Sequence, residues 1–366
     1  MMSIKPFSGS YPDPDVTFLL TPLDMEMTDV KTKEALIQSG KKHYSEMLSL
    51  ENPPSQLHLD IFEQALVLGG KRMAKETLVL AQALADSIDS RPLVLVSLVR
   101  AGVPMAVCLM RALRLLDIEA VHYGISIIRD RGIDTVALDK IEKKHGTEGI
   151  CFIDGWTGKG AIAGELSKAL INRPGYPEKP RLVVLADPGG CSWLAASGDD
   201  WLIPFGVMGA PISGLVSRSV WHATDLHGCV VYDNLREYDC SSRFVDQIEA
   251  HMKVQLTKTA ESKEIPTKTP ILDEQIKARL QTQCHEVIET LAQQYQISSI
   301  NRIKPGIAEA TRAVMRRVPE HVLVRDKSDA DVQLLLYLAE KVGAPVTEVG
   351  ELTGNYRAIT IIKQVV

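Results

Sequence analysis

The sequence GICFIDGWTGKGAIAGELSKAL, residues 149–170, combines an apolar run, a glycine loop and a helical pattern. The apolar residues 150–153 are long enough for one buried strand, and apolar side chains recur at helical spacing from Ala161 onwards. Open α/β sheets bind ligands at such junctions, outside the carboxyl ends of their strands, where glycines and a helix start expose backbone N–H groups to an anion. The alternative is a strand-to-helix turn without a ligand. We predict a phosphate-binding loop that contains Gly155, Thr157, Gly158, Lys159, Gly160 and Ala161.

Length and composition indicate an ordinary globular protein. Of the 366 residues, 45% are hydrophobic and 24% are charged, and this length exceeds what one core usually holds, so we expect two domains. The formal net charge of −5 argues against a dedicated nucleic-acid scaffold, and no apolar run approaches the length that spans a bilayer. The six cysteines show no CxxC pair and no zinc spacing, which favours reduced thiols in a cytoplasmic protein.

A second strand, loop and helix come before the glycine loop. Residues 93–96 form a continuous apolar run, as in a parallel strand covered on both faces, and residues 103–116 have a helical pattern. Between them, Arg100 offers a bidentate fork to phosphate oxygens. Further strands are predicted at 120–128 and 181–186, so strands and helices alternate as in a parallel α/β sheet.

The domain boundaries follow from changes in composition. We predict a first domain over residues 1–255, of which 1–55 are an N-terminal extension, and a polar, proline-interrupted linker over 256–270. Residues 271–366 predict a helix followed by a small α/β domain. Within the first domain, residues 57–88 predict one or two amphipathic helices broken at Gly69-Gly70.

The glycine loop resembles the ribose-5-phosphate loop of type I phosphoribosyltransferases. VRAGVPM, residues 99–105, likewise resembles the pyrophosphate loop of uracil phosphoribosyltransferases. The resemblance implies a Rossmann-like, parallel-sheet domain with a hood, in which Asp154 holds the ribose hydroxyls and the glycine loop holds the 5-phosphate. The family usually has two adjacent acids at this point, and here Ile153 replaces the first.

The same resemblance assigns three further groups of residues. It implies that Arg100, Ala101 and Gly102 bind pyrophosphate together with Mg²⁺. It also implies that Arg129 or Arg131 closes the site. The hood over the acceptor base would be formed by Asp200, Ile203, Pro204 and Phe205.

The C-terminal segment GIAEATRAV, residues 306–314, resembles the start of the Pelota-type RNA-binding fold, with Ala308 replacing its Asn and Arg312 its Lys. Glu309, Arg312 and Arg316 share one helix face and are the candidate RNA contacts. Residues 271–366 contain 12 Lys and Arg and 12 Asp and Glu, so RNA affinity must come from that local face. A structural capping domain is the alternative.

As a whole, the chain resembles a phosphoribosyltransferase family with a C-terminal Pelota RNA-binding domain. This family occurs in bacterial tellurium-resistance and stress gene clusters and also carries the label cysteine protease StiP. The resemblance implies a cytoplasmic, homo-oligomeric, Mg²⁺-dependent enzyme that moves a phosphoribosyl group between phosphoribosyl pyrophosphate and a base-like acceptor.

Two other hypotheses remain open from the sequence. The first is a cysteine hydrolase, with Cys191 as nucleophile and His222 or His227 as base. The second is a non-catalytic sensor of a phosphoribosyl ligand.

Overall fold

The computed structural model describes residues 7–262 and 272–364 of the chain. No helix in these two ranges is long and apolar enough to cross a membrane. The strands are β1 Thr17–Phe18, β2 Thr21–Pro22, β3 Leu93–Val99, β4 Ala120–Ile128, β5 Gly132–Ile133, β6 Ile150–Ile153, β7 Leu182–Ala186, β8 Leu194–Ser197, β9 Gly228–Cys229, β10 Ile303–Pro305, β11 Pro319–Val324, β12 Val346–Glu348 and β13 Ala358–Ile362. The helices are α1 Val30–Gln38, α2 Gln56–Ser87, α3 Gly102–Leu115, α4 Thr135–His145, α5 Ala161–Leu170, α6 Ser241–Ser262, α7 Glu274–Gln294, α8 Ile307–Arg316 and α9 Gln333–Lys341.

A seven-stranded sheet, the main sheet, forms the centre of the N-terminal part. Its order is β1-β4-β3-β6-β7-β8, every neighbouring pair on this path is parallel, and β5 adds an antiparallel edge to β4. Its carboxyl ends therefore meet at one edge, as the alternation of strands and helices predicts. The expected α/β class with a mostly parallel sheet is confirmed.

Both faces of the main sheet are covered, which explains why its strands are apolar without alternation. Leu93 and Leu95 of β3 belong to the core beneath α2, α3 and α6, whereas Val94 and Val96 belong to the core beneath α4 and α5. Successive side chains of a strand point to opposite faces, so each face takes every second residue.

Helix α2 is continuous, and the predicted break at Gly69-Gly70 is wrong. A Cβ atom on Gly69 would lie 2.9 Å from Cζ3 of Trp201 and 3.3 Å from Cγ of Pro204. The glycine therefore serves close packing of the helix, and the packing offsets the low helix propensity of glycine. Ser55 caps the helix start, where its side chain accepts a hydrogen bond from the His58 amide.

The C-terminal part contains a four-stranded sheet of order β10-β13-β11-β12, the C-terminal sheet. Helix α7 covers one face of this sheet, and α8 and α9 cover the other face and join the core of the main sheet. Helix α6 extends to Ser262, into the segment that the sequence predicts as a linker, and residues 263–271 lie outside the described residues.

A buried carboxylate joins the two sheets. Asp200, which follows β8, accepts hydrogen bonds from the backbone N–H of Ile307 at 3.0 and 3.1 Å and from that of Arg357 at 2.8 Å. Ile307 is the first residue of α8, so its N–H has no partner inside the helix and Asp200 supplies one. This contact places α8 over the carboxyl edge of the main sheet.

We predict that Asp200→Ala lowers the free energy of unfolding by about 3 kcal/mol, because it leaves the buried N–H of Ile307 and the partly buried N–H of Arg357 without an acceptor. The matched control is Asp199→Ala, which removes the neighbouring, partly exposed carboxylate with its ion pairs to Arg72 and Arg357 and should cost about 1 kcal/mol or less. Urea denaturation measures both values. Equal losses in the two variants would show that Asp200 does not hold the sheets together.

Candidate functional site

The glycine loop has the predicted strand, loop and helix order, but the protein itself occupies it. Thr157 donates its hydroxyl to the Asp187 carboxylate, and Lys159 donates to the carbonyl of Ile303 at 2.7 Å. The carbonyl of Gly158 accepts a hydrogen bond from the hydroxyl of Tyr356 at 3.1 Å. The polar groups that the sequence assigns to a phosphate are therefore bonded to other parts of the chain.

The glycines of this loop allow its close approach to other residues. A Cβ atom on Gly155 would lie 2.7 Å from the ring of Phe205, and one on Gly158 would lie 2.6 Å from Oε2 of Glu309. Gly160, with φ of +79°, adopts the left-handed conformation before Ala161 begins α5. The loop is glycine-rich for packing as well as for conformation.

The carboxyl ends of β3 and β6 bring Arg100 and Asp154 to the same cavity, as predicted from the two loops. The cavity has a volume of about 720 Å³ and lies between the main sheet and α8; we call it the arginine cavity. Burial raises the pKa of Asp154 to about 7. Ala101 also lines the cavity, and Gly102 lets α3 begin against β6, because a Cβ atom there would lie 2.0 Å from the Ile153 carbonyl oxygen.

Of the two arginines expected to close the site, only Arg129 reaches the arginine cavity. Its backbone N–H donates to the hydroxyl of Tyr44 at 2.7 Å. The Arg131 guanidinium instead pairs with Glu46 and stacks on the ring of Trp221, 4.1 Å from its centroid. Arg131 is therefore held away from the cavity, and its predicted place there is wrong.

The predicted hood residues are core residues. Ile203, Pro204 and Phe205 are all buried, and Phe205 packs edge-on against Phe244 of α6. None of the three lines the arginine cavity, and Asp200 caps α8 as described above. The hood is wrong because these apolar residues fill the space between α2 and α6 instead.

The predicted RNA contacts face the N-terminal part of the chain. Glu309, Arg312 and Arg316 all line the arginine cavity. The Arg312 guanidinium lies over Trp156, 4.8 Å from the ring centroid, and donates to the carbonyl of Gly206 at 3.3 Å. RNA contact through this helix face stays a prediction, and it requires α8 to separate from the main sheet.

The cavity contains residues that sequence reasoning missed. Glu51 pairs with Arg100 at 2.5 Å, Arg218 donates to the carbonyls of Tyr44 and Met47, and Lys304 lies 3.5 Å from Glu309. Glu51 and Arg218 lie in segments without a clear strand or helix pattern, so no periodicity marks them. No group of three or more His, Cys, Asp or Glu side chains in the described ranges could hold a metal, and Mg²⁺ stays a prediction.

All six cysteines have free thiols, and only Cys191 is partly exposed. Burial raises the pKa of the Cys151, Cys229 and Cys240 thiols to about 12. Burial, and next the charge of Asp187, raise the pKa of Cys191 to about 12 as well. These groups are protonated thiols at neutral pH.

The predicted pairing of Cys191 with His222 or His227 is wrong. Nδ1 of His227 lies 2.6 Å from the hydroxyl of Ser126 on β4, which is three strands from β7 in the main sheet, or about 14 Å. His222 is exposed and accepts hydrogen bonds in its own turn. No hydrogen bond joins a cysteine sulfur to a histidine ring in the part of the chain that the structure describes.

Comparison with known proteins corrects the predicted activity. Residues 9–249 match the family described as "Tellurite-like stress resistance cysteine protease StiP", and residues 282–364 match the PELOTA RNA binding domain. The chain is 49% identical over 372 residues to "Cysteine protease StiP" of Acinetobacter baylyi, which covers 98% of this chain and 94% of the relative. No solved structure matches the chain.

The phosphoribosyltransferase function, and with it phosphoribosyl pyrophosphate and a base as partners, is therefore wrong, because both the family and the relative carry the name of a cysteine protease. The C-terminal Pelota domain is confirmed, and the description of the family contains the expected words on tellurite-like stress resistance. The misleading signal was the glycine loop, whose glycines serve packing against Phe205 and α8. The chain belongs to the StiP family, and its C-terminal part is a Pelota RNA-binding domain.

Proposed function

We propose that this protein is a cysteine-dependent peptidase with Cys191 as its nucleophile. The observation that carries the proposal is that Cys191 alone among the six cysteines has a partly exposed side chain. It lines a cavity of about 400 Å³, the thiol cavity, together with Lys159 and Lys277. The names of the family and of the relative support cysteine chemistry.

The loop after β7 holds Cys191 rigidly. The Asp187 carboxylate accepts hydrogen bonds from the backbone N–H groups of Cys191 and Ser192, at 2.8 and 2.9 Å, and from the Ser192 hydroxyl at 2.6 Å. The sulfur lies against the start of α5, since a Cβ atom on Gly160 would be 2.7 Å from it. Unpaired N–H groups at a helix start stabilise both a thiolate and the oxyanion of an acyl intermediate.

Lys159 is the proposed base. Burial, and next the charge of Lys304, lower the pKa of its amine to about 7, so the amine is available in its neutral form near neutral pH. In the structure its nitrogen bonds to the Ile303 carbonyl, so proton transfer requires the side chain to turn within the thiol cavity. The thiolate then attacks the peptide carbonyl, a thioester forms as the amine leaves with the proton, and water hydrolyses the thioester.

We predict that Cys191→Ser loses at least about a thousandfold in peptide hydrolysis, because no other thiol lines the arginine cavity or the thiol cavity. Release of fluorescence from a mixed peptide library measures the rate. Cys284→Ser is the matched control, since Cys284 is buried on α7, and it should keep the full rate. Undiminished hydrolysis by Cys191→Ser would remove Cys191 from the mechanism.

The pH dependence tests the base. A lysine with a lowered pKa is protonated below that pKa and neutral above it, so hydrolysis should rise as the pH passes about 7. Lys159→Met should abolish this rise and most of the rate, whereas Lys168→Met, an exposed lysine of α5, should leave the profile unchanged. A profile that is identical in Lys159→Met and the parent protein would contradict the role of Lys159.

A further inference from the structure

The arginine cavity contains far more positive than negative charge. Among the residues that the structure describes, ten lysines and arginines line it, against four aspartates and glutamates. Four of these guanidinium groups come from three separate regions: Arg100 at the end of β3, Arg218 from the segment before β9, and Arg312 and Arg316 from α8. The cavity is therefore assembled only when the C-terminal part packs on the main sheet.

Two arginines that line this cavity carry hydrogen-bond donors that are not used. Nε of Arg100 and Nη2 of Arg316 are buried and have no hydrogen-bond partner among the residues that the structure describes, and the Arg100 side chain is only 5% exposed. Buried polar groups are normally paired, and a buried guanidinium with free donors is costly without an anion. The two residues that carry these unused donors, Arg100 and Arg316, both line a space of ligand size, about 720 Å³.

The charges facing one another are unbalanced as well. Burial, together with the charge of Arg100, lowers the pKa of the Arg312 and Arg218 guanidiniums to about 10. Burial by itself would raise the pKa of Glu51, yet the charges of Arg100 and Arg316 hold it at about 2. Glu51 is thus fully ionised and still leaves most of the positive charge uncompensated.

We propose that the arginine cavity binds a small polyanion that carries at least two phosphate-like oxyanion groups. Planar guanidiniums bind such groups through paired hydrogen bonds, and four of them suit more than one group. The volume suits a small molecule and excludes a folded RNA. This site is separate from the thiol cavity, and since α8 supplies Arg312 and Arg316, the bound anion would link the two sheets.

Isothermal titration calorimetry on the full chain tests the proposal with orthophosphate, pyrophosphate, tripolyphosphate and tellurite, each with and without Mg²⁺. We expect saturable binding that strengthens from orthophosphate to tripolyphosphate, weakens with added NaCl, and raises the melting temperature. Tellurite tests whether a single oxyanion suffices. No saturable heat from any of these anions at millimolar concentration would overturn the proposal. The assay contains no peptide, so its outcome does not depend on Cys191.

Substitution of Arg316 gives a second test with a characteristic sign. Arg316→Met should weaken tripolyphosphate binding about tenfold or more, because it removes a charge-assisted contact, and should raise the melting temperature of the free protein, because it removes a buried charge. Arg316→Lys keeps the charge without the planar fork and should bind with intermediate strength.

The matched control is Arg236→Met, which removes an exposed arginine paired with Asp233. It should change neither the affinity nor the melting temperature measurably. Arg316→Met with the affinity of the parent protein would overturn the proposal. So would a short structured RNA that binds through Arg316 when none of the small anions does.

Discussion

The contact between the Asp200 carboxylate and the backbone of α8 and β13 is the constraint on which the rest of the structure depends. It satisfies the first N–H of α8, where the contact is buried, and the N–H of Arg357 before β13, where it is partly buried. A carboxylate at a helix start also interacts favourably with the helix dipole. Because Asp200 follows β8 at the carboxyl edge of the main sheet, this contact fixes which face of the C-terminal sheet meets that edge.

The packing divides the carboxyl edge into two cavities with different chemistry. Tyr356 and Lys159 connect the C-terminal sheet to the glycine loop, which lines both the arginine cavity and the thiol cavity. Lys159 lines both, and its amine bonds to the Ile303 carbonyl. The glycine loop thus connects the cavity of the proposed peptidase with the cavity of the proposed anion site.

The sequence predicts the main sheet well because its strands carry a local signal, an apolar run ended by a polar residue. Other features of the fold depend on tertiary contacts that no local sequence pattern contains. Gly69 suggested a helix break, but Trp201, more than a hundred residues later, packs against it and requires a glycine. The predicted hood around Phe205 belongs to the core for the same reason.

The residues of the two cavities also divide into those that a local sequence pattern predicts and those that depend on tertiary contacts. Arg100 and Asp154 meet in one cavity because neighbouring parallel strands end at one edge, which a sequence pattern can indicate. The predicted phosphate-binding role of the glycine loop has no local test in the sequence, because glycines that permit an anion to approach also permit α8 to approach. Arg316 looked like a residue for RNA, and only the packing of α8 turns it towards Arg100.

Hydrogen–deuterium exchange at the Ile307 amide tests most directly whether Asp200 holds α8 on the main sheet. A first-turn amide has no partner within its helix and exchanges rapidly when the helix end is free. With Asp200 seated against it, the Ile307 amide should exchange slowly in the full chain and rapidly in Asp200→Ala. Rapid exchange in the unsubstituted protein would mean that α8 does not rest on the main sheet, and both cavities would lose their shared wall.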